Sequence, residues 1–136
     1  MPVITATIQV FAFGNFFLRH THSYILVEWA NVDYNLGNFF DGTYFTVPEN
    51  GLYSFYAFCR QQSSNYGEIR LHLNDNLYIY AERDSSNNNL GFVNIDTTLK
   101  LVKNDKVDVR VYGNLADTHH APITYFEGRM IARLDE

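Results

Sequence analysis

Four histidines stand in two close pairs, His20 with His22 and His119 with His120, and imidazoles so spaced can ligate a transition metal if their loops meet. Zinc sites add a third ligand and an ordered outer shell, so solvated loop histidines are the plainer reading. Asp84 with Asn87, Asn88 and Asn89 offers a different chemistry, because hard cations are held by carboxylate, carbonyl and water oxygens. That loop makes Asp84 and Asn88 the candidate ligands for calcium, and a solvated polar loop without metal is the equal alternative. Sugars are gripped by planar hydrogen-bonding side chains beside aromatic faces, which makes Asn65, Tyr66, Asp84, Asn87, Asn114, Asp117 and His119 the candidate ligand-binding set. Catalysis has little support. No G-x-S-x-G elbow, H-E-x-x-H pair, P-loop or cysteine cluster occurs, and the single Cys59 lies inside an apolar run where a buried, inert thiol is expected. No N-x-S/T sequon is present, so no N-linked glycan is expected on the domain itself.

These residues need a frame, and the sequence predicts one made of strands. Ile4, Ala6, Ile8, Val10 and Ala12 alternate with more polar neighbours in a half-buried first strand, and the run Tyr24 to Trp29 reads as a second, its Trp29 serving packing. Ile69, Leu71 and Leu73 face inward along another strand, whose outer row of Glu68, Arg70 and His72 reads as solvated. The segments Phe92 to Val102 and Lys106 to Tyr112 flank a tight turn at Lys103-Asn104-Asp105. Helical periodicity of useful length is absent, as are internal repeats and linkers. Short strands punctuated by turns every eight to twelve residues or so predict one all-β domain over 1–136, an antiparallel sandwich.

The strand from Leu52 to Cys59 is unusual because both of its rows are apolar. Tyr53, Phe55, Ala57 and Cys59 should fill the sandwich with Phe45 and Phe126, while Leu52, Tyr56 and Phe58, broken only by Ser54, form a second row that also needs cover. A subunit interface at Leu52, Tyr56 and Phe58 meets that need, and cover by a loop is the bland alternative. Upstream, Asp41-Gly42 and Glu49-Asn50-Gly51 supply residues that tolerate positive φ, and Pro48 stops the strand that ends at Val47.

As a pattern, Asn35-x-Gly37 is followed by Asp41-Gly42-x-x-Phe45-Thr46-x-Pro48-x-x-Gly51-x-Tyr53-x-Phe55. This resembles the signature of the globular-head domain of complement component 1q, within the tumour-necrosis-factor-like superfamily. The similarity continues through Arg70-Leu71-His72-Leu73-Asn74-Asp75, through Leu99-x-Leu101-x-x-x-Asp105-x-Val107-x-Val109 with Asn104 in place of the usual Gly, and through Tyr125-Phe126-Glu127-Gly128-Arg129-Met130-Ile131. It covers the chain from about Ile4 to Ile131. The resemblance implies a jelly-roll sandwich, assembly as a homotrimer about an apolar axis, and secretion. It also places the loop beginning at Asp84 at the trimer apex, where calcium-binding relatives hold their ion. Asp84 falls near one family calcium ligand, but the second carboxylate position falls near Asn89-Leu90-Gly91.

Bulk properties narrow the function. A net charge of −5 over 136 residues argues against nucleic-acid binding, which needs a cationic footprint. No stretch is long enough to cross a bilayer, and the N-terminus lacks the pattern of a signal peptide, so secretion rests on the resemblance alone, which implies a mature domain whose leader and any stalk lie outside this sequence. Ten tyrosines and eleven phenylalanines leave apolar surface in search of a partner. The expected function is a secreted, non-enzymatic, lectin-like recognition module for glycans or charged microbial surface molecules in innate immunity. The alternatives are a cytokine-like or synaptic-organiser-like ligand for a protein receptor and a structural matrix component.

Overall fold

Runs dominated by β-branched and aromatic residues, broken by Asp, Asn, Gly and Pro, fold into strands in the computed structural model, which describes residues 8–13, 24–61, 65–85, 91–113 and 124–135. The strands are β1 (Gln9–Phe13), β2 (Ile25–Leu26), β3 (Asn31–Leu36), β4 (Phe45–Thr46), β5 (Gly51–Gln61), β6 (Asn65–Leu73), β7 (Asn76–Ser85), β8 (Gly91–Leu101), β9 (Lys106–Gly113) and β10 (Tyr125–Arg133). One sheet runs β3-β1-β10-β5-β8 and the other β2-β9-β6-β7, with β4 added against β9. Every pairing is antiparallel, and the two sheets close as a jelly-roll sandwich. No helix occurs among the described residues, and therefore none long and apolar enough to cross a membrane.

Strand β5 lies between β10 and β8, and its pleat sends alternate residues to opposite faces. Tyr53, Phe55, Ala57 and Cys59 are fully buried between the sheets, as the alternation predicts. Phe45 meets Phe55 edge-on at 5.4 Å between ring centres, and Phe55 stacks on Phe126 at 5.9 Å. Trp29 also stacks on Phe126 at 5.9 Å and is buried, so its role is packing. The buried Tyr53 hydroxyl donates to the Glu49 carbonyl at 2.6 Å, which satisfies the one polar atom that the inner row carries inward. Gly128 pairs with Phe55 across the sheet, and a Cβ there would stand 2.9 Å from the Phe55 ring.

The turns follow local chemistry, with one correction. Asn74 and Asp75 both have positive φ, 51° and 66°, the geometry of the two-residue hairpin that joins β6 to β7. Asn104 has φ 77°, so it adopts the left-handed conformation that a Gly would hold more readily, and Asp105 steadies the turn by accepting the Val102 N–H at 2.9 Å. Gly42 has φ 100° beside Asp41, whose Oδ1 accepts the N–H groups of Thr43 and Tyr44. Gly51, expected to supply positive φ, does not. It is required because a Cβ would stand 2.5 Å from the Ala132 carbonyl oxygen.

The outer row of β6 differs from its expectation as solvated. Its parity is right, but Glu68 is 2% and His72 7% exposed. β6 lies between β9 and β7, so neighbours on both sides cover its side chains. Both ring nitrogens of His72 lack a hydrogen-bond partner among the described residues. Burial, reinforced by the Arg110 guanidinium, holds the imidazole below its ordinary pKa.

Two measurements test this core. Phe55→Ala should cost about 3–5 kcal/mol in denaturant unfolding, as for other buried aromatic deletions; a loss below about 1 kcal/mol would put Phe55 on the surface and shift the β5 register. Because His72 binds a proton less readily folded than unfolded, its contribution is intact above the ordinary histidine range and is lost as pH falls through that range. His72→Gln should therefore show a smaller drop in melting temperature between pH 7.5 and pH 5 than wild type, and an equal or larger drop would refute the assignment.

Candidate functional site

Two faces of the sandwich carry the side chains able to recognise something, one on each sheet. On the outer face of the β3-β1-β10-β5-β8 sheet, register sets Phe13, Tyr125 and Phe58 in one line across β1, β10 and β5. Phe58 stacks on Tyr125 at 5.1 Å and meets Phe92 at 4.9 Å, while Tyr56 stacks on Tyr125 at 5.6 Å. Phe11 extends the group, 5.9 Å from Phe13, from Tyr34 and from Tyr125. Leu52, Tyr56 and Phe58 all lie on this face, half-buried; Tyr56 and Phe58 join the ring cluster, while Leu52 stands opposite Ala132, beyond Ser54. Burial among the rings pushes the Tyr125 hydroxyl up in pKa, with Tyr56 contributing. Farther along the same face the chemistry turns charged, and Ser54, Tyr56, Asp96, Glu127 and Arg129 line one shallow hollow.

The outer face of the other sheet is polar and aromatic. Tyr66 on β6 donates to Glu68 Oε2 at 2.6 Å and also contacts Glu82 Oε2 on β7. Arg70 Nε pairs with Glu68 Oε1, and Arg70 Nη2 donates to the Tyr24 hydroxyl at 2.6 Å. The Arg70 guanidinium also lies over the Tyr24 ring, 3.8 Å from its centre, and Tyr24 packs on Tyr112 at 5.0 Å. Burial, then the Glu68 and Glu82 carboxylates, drive the Tyr66 hydroxyl far above its ordinary pKa. Tyr66 therefore keeps its proton and acts as a donor. A second pair, Arg110 Nε with buried Asp108 at 2.9 Å, continues the face, and Arg110 reaches Asp75 at 3.1 Å. These groups hold one another in fixed orientations, and no nucleophile beside a base occurs among them.

Tyr66 is thus the one member of the predicted ligand-binding set whose contacts are defined. Asn65 and Asp84 fall at the same end of β6 and β7, Asn65 opposite Ser85 and Asp84 opposite Tyr66. Asn87, Asn88, Asn114, Asp117 and His119 lie outside the described residues, as do His20, His22 and His120. Among the described residues no three His, Cys, Asp or Glu side chains are placed to hold a metal ion. Sequence reasoning missed Phe11, Tyr34 and Phe92 on the first face and Tyr24, Arg70, Glu82 and Tyr112 on the second. Period-2 parity could have flagged those that share a strand face with a recognised residue, but not which strands are neighbours.

A third surface feature is β7, an edge strand on which Leu77, Tyr78, Ile79 and Tyr80 are consecutively 37–48% exposed.

Comparison with known proteins agrees with this geometry. A search of curated proteins finds no match. Among solved structures, the globular domain of zebrafish complement 1qA protein superposes with a TM-score of 0.73 at 18% identity, over 93% of this chain and 99% of that one. Eiger TNF from S. frugiperda gives 0.71 at 14% identity over 97% of each chain. Murine APRIL at pH 5.0 gives 0.67 at 10% identity, covering 92% of this chain and 99% of that one. At these identities the likeness is one of fold. The family model for the C1q domain matches residues 13–131, and with that match spanning nearly the whole jelly roll the chain belongs to the C1q domain family.

Proposed function

We propose that this chain is a secreted, non-enzymatic recognition module that assembles as a homotrimer and binds glycans or charged microbial surface molecules, a lectin-like role in innate immunity. The observation that carries the reading is the division of labour between the two outer faces. Rings on one sheet form a contiguous apolar patch of the kind that protein partners cover. A three-fold ring is heterologous, so each protomer needs two different complementary patches. The aromatic face supplies one and the exposed Leu77 to Tyr80 edge the other. With those surfaces covered, the tyrosine and arginine cluster of the second sheet remains toward solvent above the buried Glu68 carboxylate. Its flat rings and planar charged groups suit sugar hydroxyls. Three such sites on one body multiply weak binding by avidity.

The assembly is tested by multi-angle light scattering. The wild-type chain should be trimeric at micromolar concentration, and Phe58→Glu should dissociate it or abolish folding, because a buried unpaired charge is not tolerated at such a contact. A monomeric wild type overturns the reading.

The ligand is tested with immobilised microbial polysaccharide. Asp84→Ala combined with Asn87→Ala should leave the assembly intact and lower binding, and calcium should raise the melting temperature of wild type more than that of the double variant. Unchanged binding together with no calcium effect removes both roles from the 84–89 loop. Failure on a glycan array with and without chelator, beside capture by a purified cell-surface receptor, would replace this function with that of a protein-receptor ligand.

A further inference from the structure

One roomy hollow among the described residues belongs to neither face. It lies at the end of the sandwich where β3 finishes, β5 begins, β8 turns into β9 and β10 finishes, with a volume of about 560 Å³, inside the 300–1,000 Å³ range of small-molecule sites. Half-buried Phe39 and Pro48 wall it, and buried Ile8 and Val47 lie beneath. The walls are fixed by backbone bonds: Thr46 N–H to the Phe39 carbonyl at 2.9 Å, Asn104 N–H to the Val47 carbonyl at 2.8 Å, and Val47 N–H to the Asp105 carbonyl at 2.8 Å. Gly37 keeps the wall in place, since a Cβ there would stand 2.5 Å from the Phe39 ring. A site held this way is preformed, which lowers the ordering cost of binding.

The rim has a charge opposite to that of the chain. Lys103 and Arg133 line the hollow with one acid, Glu49, which is bridged to Arg133 at 2.8 Å. Lys103 has no carboxylate partner among the described residues. An apolar interior beneath a locally cationic rim, on a protein of net charge −5, selects for a molecule with an apolar body and an anionic head. We infer that this hollow binds an amphipathic monocarboxylate, its chain against Phe39, Val47 and Pro48 and its carboxylate at Lys103, with Arg133 partly neutralised by Glu49. The site is independent of the assembly and glycan roles proposed above.

Isothermal titration of the full chain with decanoate, kept below its micelle concentration, tests the inference. Decanoate should bind saturably, and decyl alcohol and decyltrimethylammonium should each bind more weakly by about threefold or more, the scale of a solvent-exposed ion pair. Lys103→Gln should weaken decanoate by about two- to fivefold with the melting temperature unchanged, while Glu49→Gln, which frees Arg133, should strengthen it by a similar factor. The opposite signs separate a headgroup site from a non-specific apolar sink. The inference fails if decanoate binding does not saturate, if decyl alcohol binds as well, or if neither substitution moves the affinity.

Discussion

Contact between the Phe55 ring and the bare backbone of Gly128 holds the architecture together. Without a Cβ at 128, β10 can lie close beside β5 while Phe55 spreads over it between Phe45 and Phe126. That arrangement fixes which row of β5 points inward. Because strand parity leaves no choice, the same register turns Tyr56 and Phe58 outward, where Tyr125 and Phe92 join them. Core and outer aromatic patch are therefore two sides of one decision, and a slip of one residue in β5 would exchange them.

The second sheet solves a different problem, that of keeping charge on a crowded surface. Glu68 and Asp108 are almost wholly withdrawn from water, and each is met by an arginine two residues along its own strand, Arg70 and Arg110. The pairing satisfies the carboxylates locally, and at Glu68 the Tyr24 and Tyr66 hydroxyls donate further hydrogen bonds. Such pairs contribute little net stability, since desolvation offsets most of the attraction. Their effect is to hold the planar guanidinium, carboxylate and phenol groups in fixed orientations.

Much of this frame was legible from residue order. Alternation in β6 gives its inner row directly, in β5 the row of Tyr53, Phe55, Ala57 and Cys59 was picked out although both rows are apolar, and Pro48 and the Asn74-Asp75 pair mark boundaries. Strands β3 and β7 were less visible for different reasons: β3 alternates Val32, Tyr34 and Leu36 with Asn31, Asp33 and Asn35 but those polar residues read as turn formers, whereas Asn-Leu-Tyr-Ile-Tyr in β7 lacks apolar alternation. Both are edge strands, exposed enough that burial imposes no period on them. The burial of Glu68 was hidden for another reason. Its cover includes Tyr24, 44 residues away in sequence, and only the order of strands within the sheet brings the two together. Gly51 illustrates a third limit: its presence was anticipated, but the cause is an approach by the Ala132 carbonyl and not a backbone angle. For the site, Tyr56, Phe58 and Tyr66 were found by residue type, whereas their partners depend on which strands lie side by side.

Cys59, the only cysteine in the chain, sits at the inner row of β5 with no solvent exposure and accepts a weak hydrogen bond from Thr124 at 3.7 Å. A thiol reagent can reach it only when the two sheets separate. The chain thus carries a native chemical clock: the rate at which its one sulfur is alkylated reports how often the sandwich opens, without any label being introduced. The same placement keeps the sulfur from joining neighbouring molecules covalently while the sandwich stays closed.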